Sequence, residues 1–441
     1  MINKLSKDIL SVFSTKLGLL VFRTLFSIII ARTLGPEGKG IYVAILTFAA
    51  TTVNICSFGL TESLIYHTAS GFLSSRYMRT ILILSVVISL FSLIVMYLLK
   101  APIIEHIFTD IPKDIYNYSY AFIFLLVYNN LFASILKGKK NFKIFNIISI
   151  VLPIARLTSL LILLAFSSLE VDHYIQLAIF ILILNAIFAT AYLNWYINES
   201  VPQAICGKYT TLVKYGIKTY VGSLLSQIEY QFDIFIMLAF MSPSAIGYYS
   251  ISYSTALLMR YITNSINNVL FPEISSQKNR ETALVLQNKI LRINLLLNLV
   301  AAVLIAVFAY PLIYIGYGDE FSVCYYLLLI MLPGIWIDSL FRTLLTWYKA
   351  NNAPQVSSMF TLVSLIVNIV LFYFFIPIYG IWGAAISISL TFSTRSVLII
   401  IYYTRKEHIK LRSVILISLQ ELNQLWTTTK QYKRKYIKKI V

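Results

Sequence analysis

The sequence predicts an all-α polytopic membrane protein. It comprises twelve transmembrane helices in two six-helix halves, related by a pseudo-two-fold axis along the membrane normal, with both termini cytoplasmic. Three observations predict this. Of the 441 residues, 59% are hydrophobic and only 12% are charged, against about 45–50% and about 25% in soluble domains. Twelve stretches approach the roughly 20 apolar residues that carry a helix across the hydrocarbon core. A short turn motif also recurs far down the chain.

The twelve stretches are residues 9–31, 40–66, 80–99, 115–136, 144–166, 174–196, 215–240, 246–271, 293–311, 321–346, 355–376 and 380–403. Lys16 interrupts the first apolar run and no small-residue cleavage site follows, which predicts a retained first span. The basic residues set the orientation. With the N-terminus inside, the inner segments hold 25 Lys and Arg, ten of them after Tyr403, and the outer segments hold four. Cytoplasmic loops carry this excess. The net charge of +18 therefore belongs to membrane topology, and no nucleic-acid partner is expected. The outer loops are short, with Glu170/Asp172 and Asp319/Glu320, and leave no room for an external catalytic domain. Inside, residues 272–292 form a polar link. In the tail Leu411, Ile415, Leu419, Leu422 and Trp426 recur at helical spacing beside charged residues. The tail is expected to lie on the inner leaflet, where its basic end would meet anionic lipids.

LGPEGKGIY at 34–42 resembles MSPSAIGYY at 241–249, with Pro36, Gly40 and Tyr42 matching Pro243, Gly247 and Tyr249 at an offset of 207. LKGKKN at 136–141 echoes YKANNA at 348–353 more weakly. Residues 1–200 and 201–403 are thus expected to be the two halves and 404–441 the basic tail. Six spans per half is even, so the halves share one orientation, and a transport site is expected between them. The offset also exposes a difference. Lys16 and Arg23 match Ser223 and Tyr230, while Glu229 and Asp233 match Phe22 and Phe26.

A charged group inside a span faces a partner or a wet cavity. Lys16 and Arg23, seven apart, share a face of the first helix; Arg156 and Arg260 lie at similar depth. These four are the candidate substrate-binding cations. Glu229, Asp233 and Asp338 are the candidate ion-coupling acids. Glu229 and Asp233 share a helix face, and two like charges so close are hard to keep ionised together, so the pair is expected to exchange a proton. Asp338 and Arg342 stand four apart and are placed to pair. Lys218, Arg342 and Arg395 are expected to snorkel. The bland alternative is that all these groups form interhelical ion pairs. No P-loop, nucleophile elbow, HExxH or Cys/His constellation appears, and Cys56, Cys206 and Cys324 are scattered. No enzyme activity, metal or cofactor is expected.

ARTLGPEGKGIY after a charged first helix, the echo at 241–249, Phe271-Pro272-Glu273, and IYGIWGAAIS at 378–387 resemble the polysaccharide exporters. These are the O-antigen and capsule-repeat flippases of the multidrug/oligosaccharidyl-lipid/polysaccharide exporter superfamily. The resemblance covers all twelve spans in number and order. It implies movement of a polyprenyl-diphosphate-linked oligosaccharide from the inner to the outer leaflet of a bacterial cytoplasmic membrane, for O-antigen or capsule assembly, alongside other polysaccharide-assembly proteins. It also implies a diphosphate-binding role for Lys16 and Arg23. The related lipid II flippases usually carry two further C-terminal spans, where this chain has a basic tail. An ion-coupled multidrug exporter is the first alternative, although its cationic substrates call for acids in the first half. A membrane-embedded polysaccharide polymerase is the second, although the long outer loop such enzymes carry is missing.

Overall fold

The computed structural model describes residues 2–69, 75–98, 110–139, 141–166, 170–199, 231–277 and 279–415, and residues 100, 103, 105, 108, 220, 224 and 225 singly. No side chain before residue 20 is described, so the placement of the Lys16 side chain, and all of Glu229 and Lys218, lie outside the described residues, as does the tail beyond 415. The helices are α1 (Ile2–Cys56), α2 (Leu60–Ala69), α3 (Ser75–Leu98), α4 (Lys113–Gly138), α5 (Phe142–Phe166) and α6 (Val171–Glu199). They continue as α7 (Gln231–Phe240), α8 (Pro243–Ala256), α9 (Met259–Ser276), α10 (Arg280–Pro311), α11 (Val323–Ala350), α12 (Pro354–Lys406) and α13 (Leu411–Ile415). Among the described residues there is no strand, and seven helices are long and apolar enough to cross a membrane. Ile162, Val303, Val307 and Phe308 are each more than half exposed, as residues facing lipid tails would be.

Two predicted turns are present: α1 and α12 each consist of two helical arms joined at a glycine of non-helical conformation. The 53 residues of α12 would reach about 80 Å if straight, far beyond a hydrocarbon core of about 30 Å. The helix bends at Gly380 (φ 57°, ψ −133°), a left-handed conformation that a Cβ disfavours. Three residues on, Gly383 lets the Phe375 carbonyl approach: a Cβ there would sit 2.1 Å from that oxygen. The IYGIWGAAIS segment is therefore a hairpin of two helical arms. In α1 the bend falls at Gly35 (φ 66°), and Pro36 follows at the first position of the new arm, where its missing N–H costs nothing.

The repeated motif meets itself. A Cβ on Gly40 would lie 1.7 Å from the Pro243 carbonyl oxygen, and a Cβ on Gly247 would lie 2.1 Å from that of Pro36. Each copy lends its proline carbonyl to the other's glycine, so α1 and α8 pack backbone to backbone along this seam. The contact explains both glycines by close approach rather than by turning. The main apolar core runs from Ile30 through Phe48, Phe122, Ile246 and Leu328 to Phe392. A second cluster, including Leu291, Leu344, Trp347 and Tyr403, takes in Val414 of α13. The start of the tail is thus packed on the bundle, with Val414 fully buried.

Candidate substrate and coupling site

The ionisable residues of α9, α11 and α12 converge on one carboxylate. Asp338, fully buried on α11, accepts through Oδ1 from Arg395 Nε at 2.9 Å and Nη2 at 2.5 Å. Its Oδ2 accepts from Arg342 Nε at 2.8 Å and pairs with Arg260 Nη2 at 3.2 Å. The i,i+4 pair expected from sequence is present, but it is the smaller part of the cluster. Arg395 was expected to snorkel and instead is 1% exposed, donating Nη1 to Ser364 at 3.1 Å. Its guanidinium stacks over Phe392 at 4.2 Å and Phe341 at 4.5 Å, and Arg260 stands 4.9 Å from Phe392. Aromatic faces and a planar fork suit one another. Three guanidiniums thus gather on one carboxylate between helices, and Arg260 also acts electrostatically on Asp233. Arg342 is the half-buried member.

A second acid lies nearer the seam. Asp233 on α7 is 1% exposed and its Oδ2 accepts from the Tyr249 hydroxyl at 3.0 Å, while Oδ1 has no hydrogen-bond partner among the described residues. A buried carboxylate with one oxygen unmet is costly in its charged form. The offset of 207 relates this pair to Phe26 and Tyr42, whose rings stand 6.4 Å apart. The same contact is therefore polar in one place and apolar in the other. The Tyr42 hydroxyl is buried without a hydrogen-bond partner among the described residues, and Arg156 is near enough to act on it electrostatically.

Of the sequence-predicted residues, the structure brings together Arg260 and Asp338, and adds Arg342 and Arg395 to them. Arg23 is exposed on α1, and Arg156 is half-buried on α5 with its Nε lacking a hydrogen-bond partner among the described residues. Tyr249, singled out as part of the repeat, gains a second role as the donor to Asp233. A polar network of α9, α10 and α11 was missed: Asn294 donates to Thr343 Oγ1 at 2.9 Å, and Asn298 donates to Thr263 Oγ1 at 3.1 Å. Asn294 and Asn298 stand four apart on α10, a helix spacing that could have flagged it. Among the described residues no group of acids, histidines and cysteines could hold a metal ion.

Long apolar helices, bent at glycines and enclosing paired buried charges, define a helical membrane protein. The chain belongs to the polysaccharide biosynthesis protein family, whose profile matches residues 29–326. It is 24% identical over 394 residues to a Shigella flexneri protein named as a candidate O-antigen transporter, a match covering 85% of this chain and 92% of that one. A Haloferax volcanii protein named as a candidate low-salt glycan biosynthesis flippase is 25% identical over 206 residues, 46% of this chain and 43% of that one. The fold is similar to that of a solved structure of the lipid II flippase MurJ, described as inward closed, with a TM-score of 0.73 at 17% identity over 95% of this chain and 92% of that one.

Proposed function

We propose that this chain is a flippase that carries a polyprenyl-diphosphate-linked oligosaccharide from the inner to the outer leaflet of a bacterial cytoplasmic membrane, by alternating access, for surface polysaccharide assembly. The observation that carries this reading is the cluster at Asp338, where three guanidiniums meet a single carboxylate. A diphosphate is an anion that arginine forks bind well, and three such forks are gathered here. The named relatives, transporters and flippases rather than catalysts, support the same reading. Twelve spans in halves 1–200 and 201–403, both termini inside, belong to this proposal. The self-meeting of the repeat at Gly40 and Gly247 supports the pseudo-two-fold relation. Arg260 and Arg342 are then the groups of the cluster able to turn toward substrate, with Lys16, Arg23 and Arg156 as the cations of the first half. Asp233 is the stronger candidate for carrying a coupling proton, because Asp338 is engaged by arginines on both oxygens.

The test is deletion of the gene followed by location of the lipid-linked repeat unit. We expect it to accumulate on the inner leaflet while surface polysaccharide is lost. The parent gene should restore output and the double variant Lys16→Ala/Arg23→Ala should not, at equal membrane abundance. Normal surface polysaccharide in the deletion strain overturns the flippase reading. Normal output from the double variant removes only the first-half cations from it.

A further inference from the structure

Helix α10 runs on past Pro311 through a π-helical turn, Leu312–Tyr317, and stops at Gly318 (φ 103°). The last carbonyls of a helix lack intrahelical donors and carry its negative dipole end. Gly318 N–H serves two of them, donating to Ile313 and Tyr314 at 3.2 Å each. The next two carbonyls, of Ile315 and Gly316, are served from the far end of the sequence. Arg32 on α1 donates Nη2 to Ile315 O and Nε to Gly316 O, both at 2.5 Å. A cation from the first helix thus caps the C-terminus of α10. Beside it, Ser27 accepts from buried Lys39 at 3.0 Å and from Tyr317 at 3.3 Å, and Ile28 lies under Gly316. The offset of 207 puts Ala239, Ile234 and Ile246 where Arg32, Ser27 and Lys39 stand, so this polar stitching has no counterpart in the repeat.

We propose that Arg32 is a one-sided latch on the seam between α1 and the end of α10, a positioning residue that must release both carbonyls before the halves part on that side. The inference rests on alternating access between two halves. Arg32 is exposed and its acceptors are backbone atoms, so release needs no partner side chain to move and water replaces both bonds at once. The latch is therefore suited to opening and closing in every cycle, whereas the buried Asp338 cluster is not. The guanidinium fork spans two successive carbonyls; an ammonium group is a point donor that holds one at a time.

The experiment uses the full chain in nanodiscs with Cys56, Cys206 and Cys324 replaced by serine and one cysteine introduced at Ile28→Cys. Its rate of reaction with a membrane-impermeant maleimide reads the opening of the seam. Arg32→Ala should speed labelling about tenfold, equivalent to about 1.4 kcal/mol, and Arg32→Lys should fall between. A separate reporter, Leu344→Cys, fully buried in the second core cluster, should remain silent. Should Arg32→Ala expose Leu344 as well, Arg32→Lys carries the test at intact fold. Labelling of Ile28→Cys at the parental rate in the variants overturns the latch. No substrate enters this measurement, so a deletion strain with normal surface polysaccharide would remove the flippase reading and leave the latch result standing.

Discussion

Asp338→Asn should cost the protein its fold rather than its coupling. The substitution preserves shape and one carbonyl acceptor but removes the only carboxylate bonded to Arg260, Arg342 and Arg395 among the described residues. Breaking a buried ion pair from one side costs about 3–5 kcal/mol, because the partner charge stays behind. Here three partners stay behind. Guanidiniums that all reach one carboxylate lie within about 6 Å of each other, and at an effective dielectric of about 20 each pair repels by about 3 kcal/mol. Relaxation of half-buried Arg342 toward water removes part of that, so roughly 4 kcal/mol is the expected loss. At about 2 °C per kcal/mol, as in larger domains, the melting temperature in detergent should fall by about 8 °C, and membrane abundance should fall with it. The double variant Asp338→Leu/Arg395→Met, which removes the most deeply buried cation with its anion, should recover much of the loss. The reasoning fails if Asp338→Asn melts within about 2 °C of the parent. It also fails if the double variant is no better than the single one.

If Asp233 carries the coupling proton, Asp233→Asn should abolish the pH dependence of transport at unchanged abundance, and Tyr249→Phe, which removes the hydroxyl that donates to Asp233, should shift that dependence without erasing it; a pH profile identical to the parent in Asp233→Asn sinks the assignment. Gly40→Ala places a Cβ 1.7 Å from the Pro243 carbonyl and should destabilise by about 1–3 kcal/mol as overpacking does, read as a lower melting temperature, with Gly247→Ala behaving alike. An unperturbed melting curve for both would show that the seam yields more easily than backbone contact implies.

The class of fold was legible because hydropathy and Lys/Arg placement act locally, residue by residue along the chain. The positions of the bends were less so. Gly35, Gly38 and Gly40 sit within six residues, and composition alone does not say which one turns and which meets another helix. Gly35 bends the chain, while Gly40 has a carbonyl against it from a helix two hundred residues away. The site divides in the same way. Asp338 and Arg342 pair across one helical turn, which spacing reveals. Arg395 and Arg260 arrive from other helices, 57 and 78 positions distant, and no periodicity within a single helix encodes that meeting. Arg395 was expected to snorkel because it stands close to a span's end. It is buried because a carboxylate and two aromatic faces await it.

The paired contact of Gly40 with Pro243 and of Gly247 with Pro36 has a consequence for how such a chain can be cut. A surface on which residue i touches j while j's equivalent touches i's is the rule of an isologous interface, the kind that closes two identical copies into a dimer. Two fragments divided between residues 199 and 231 would each carry that surface. Either could pair with its own kind as readily as with the other through the glycines alone. Fidelity of reassembly would then fall to what differs between the copies: Asp233 with Tyr249 on one side, Phe26 with Tyr42 on the other, and the Arg32 cap that only one of them can supply.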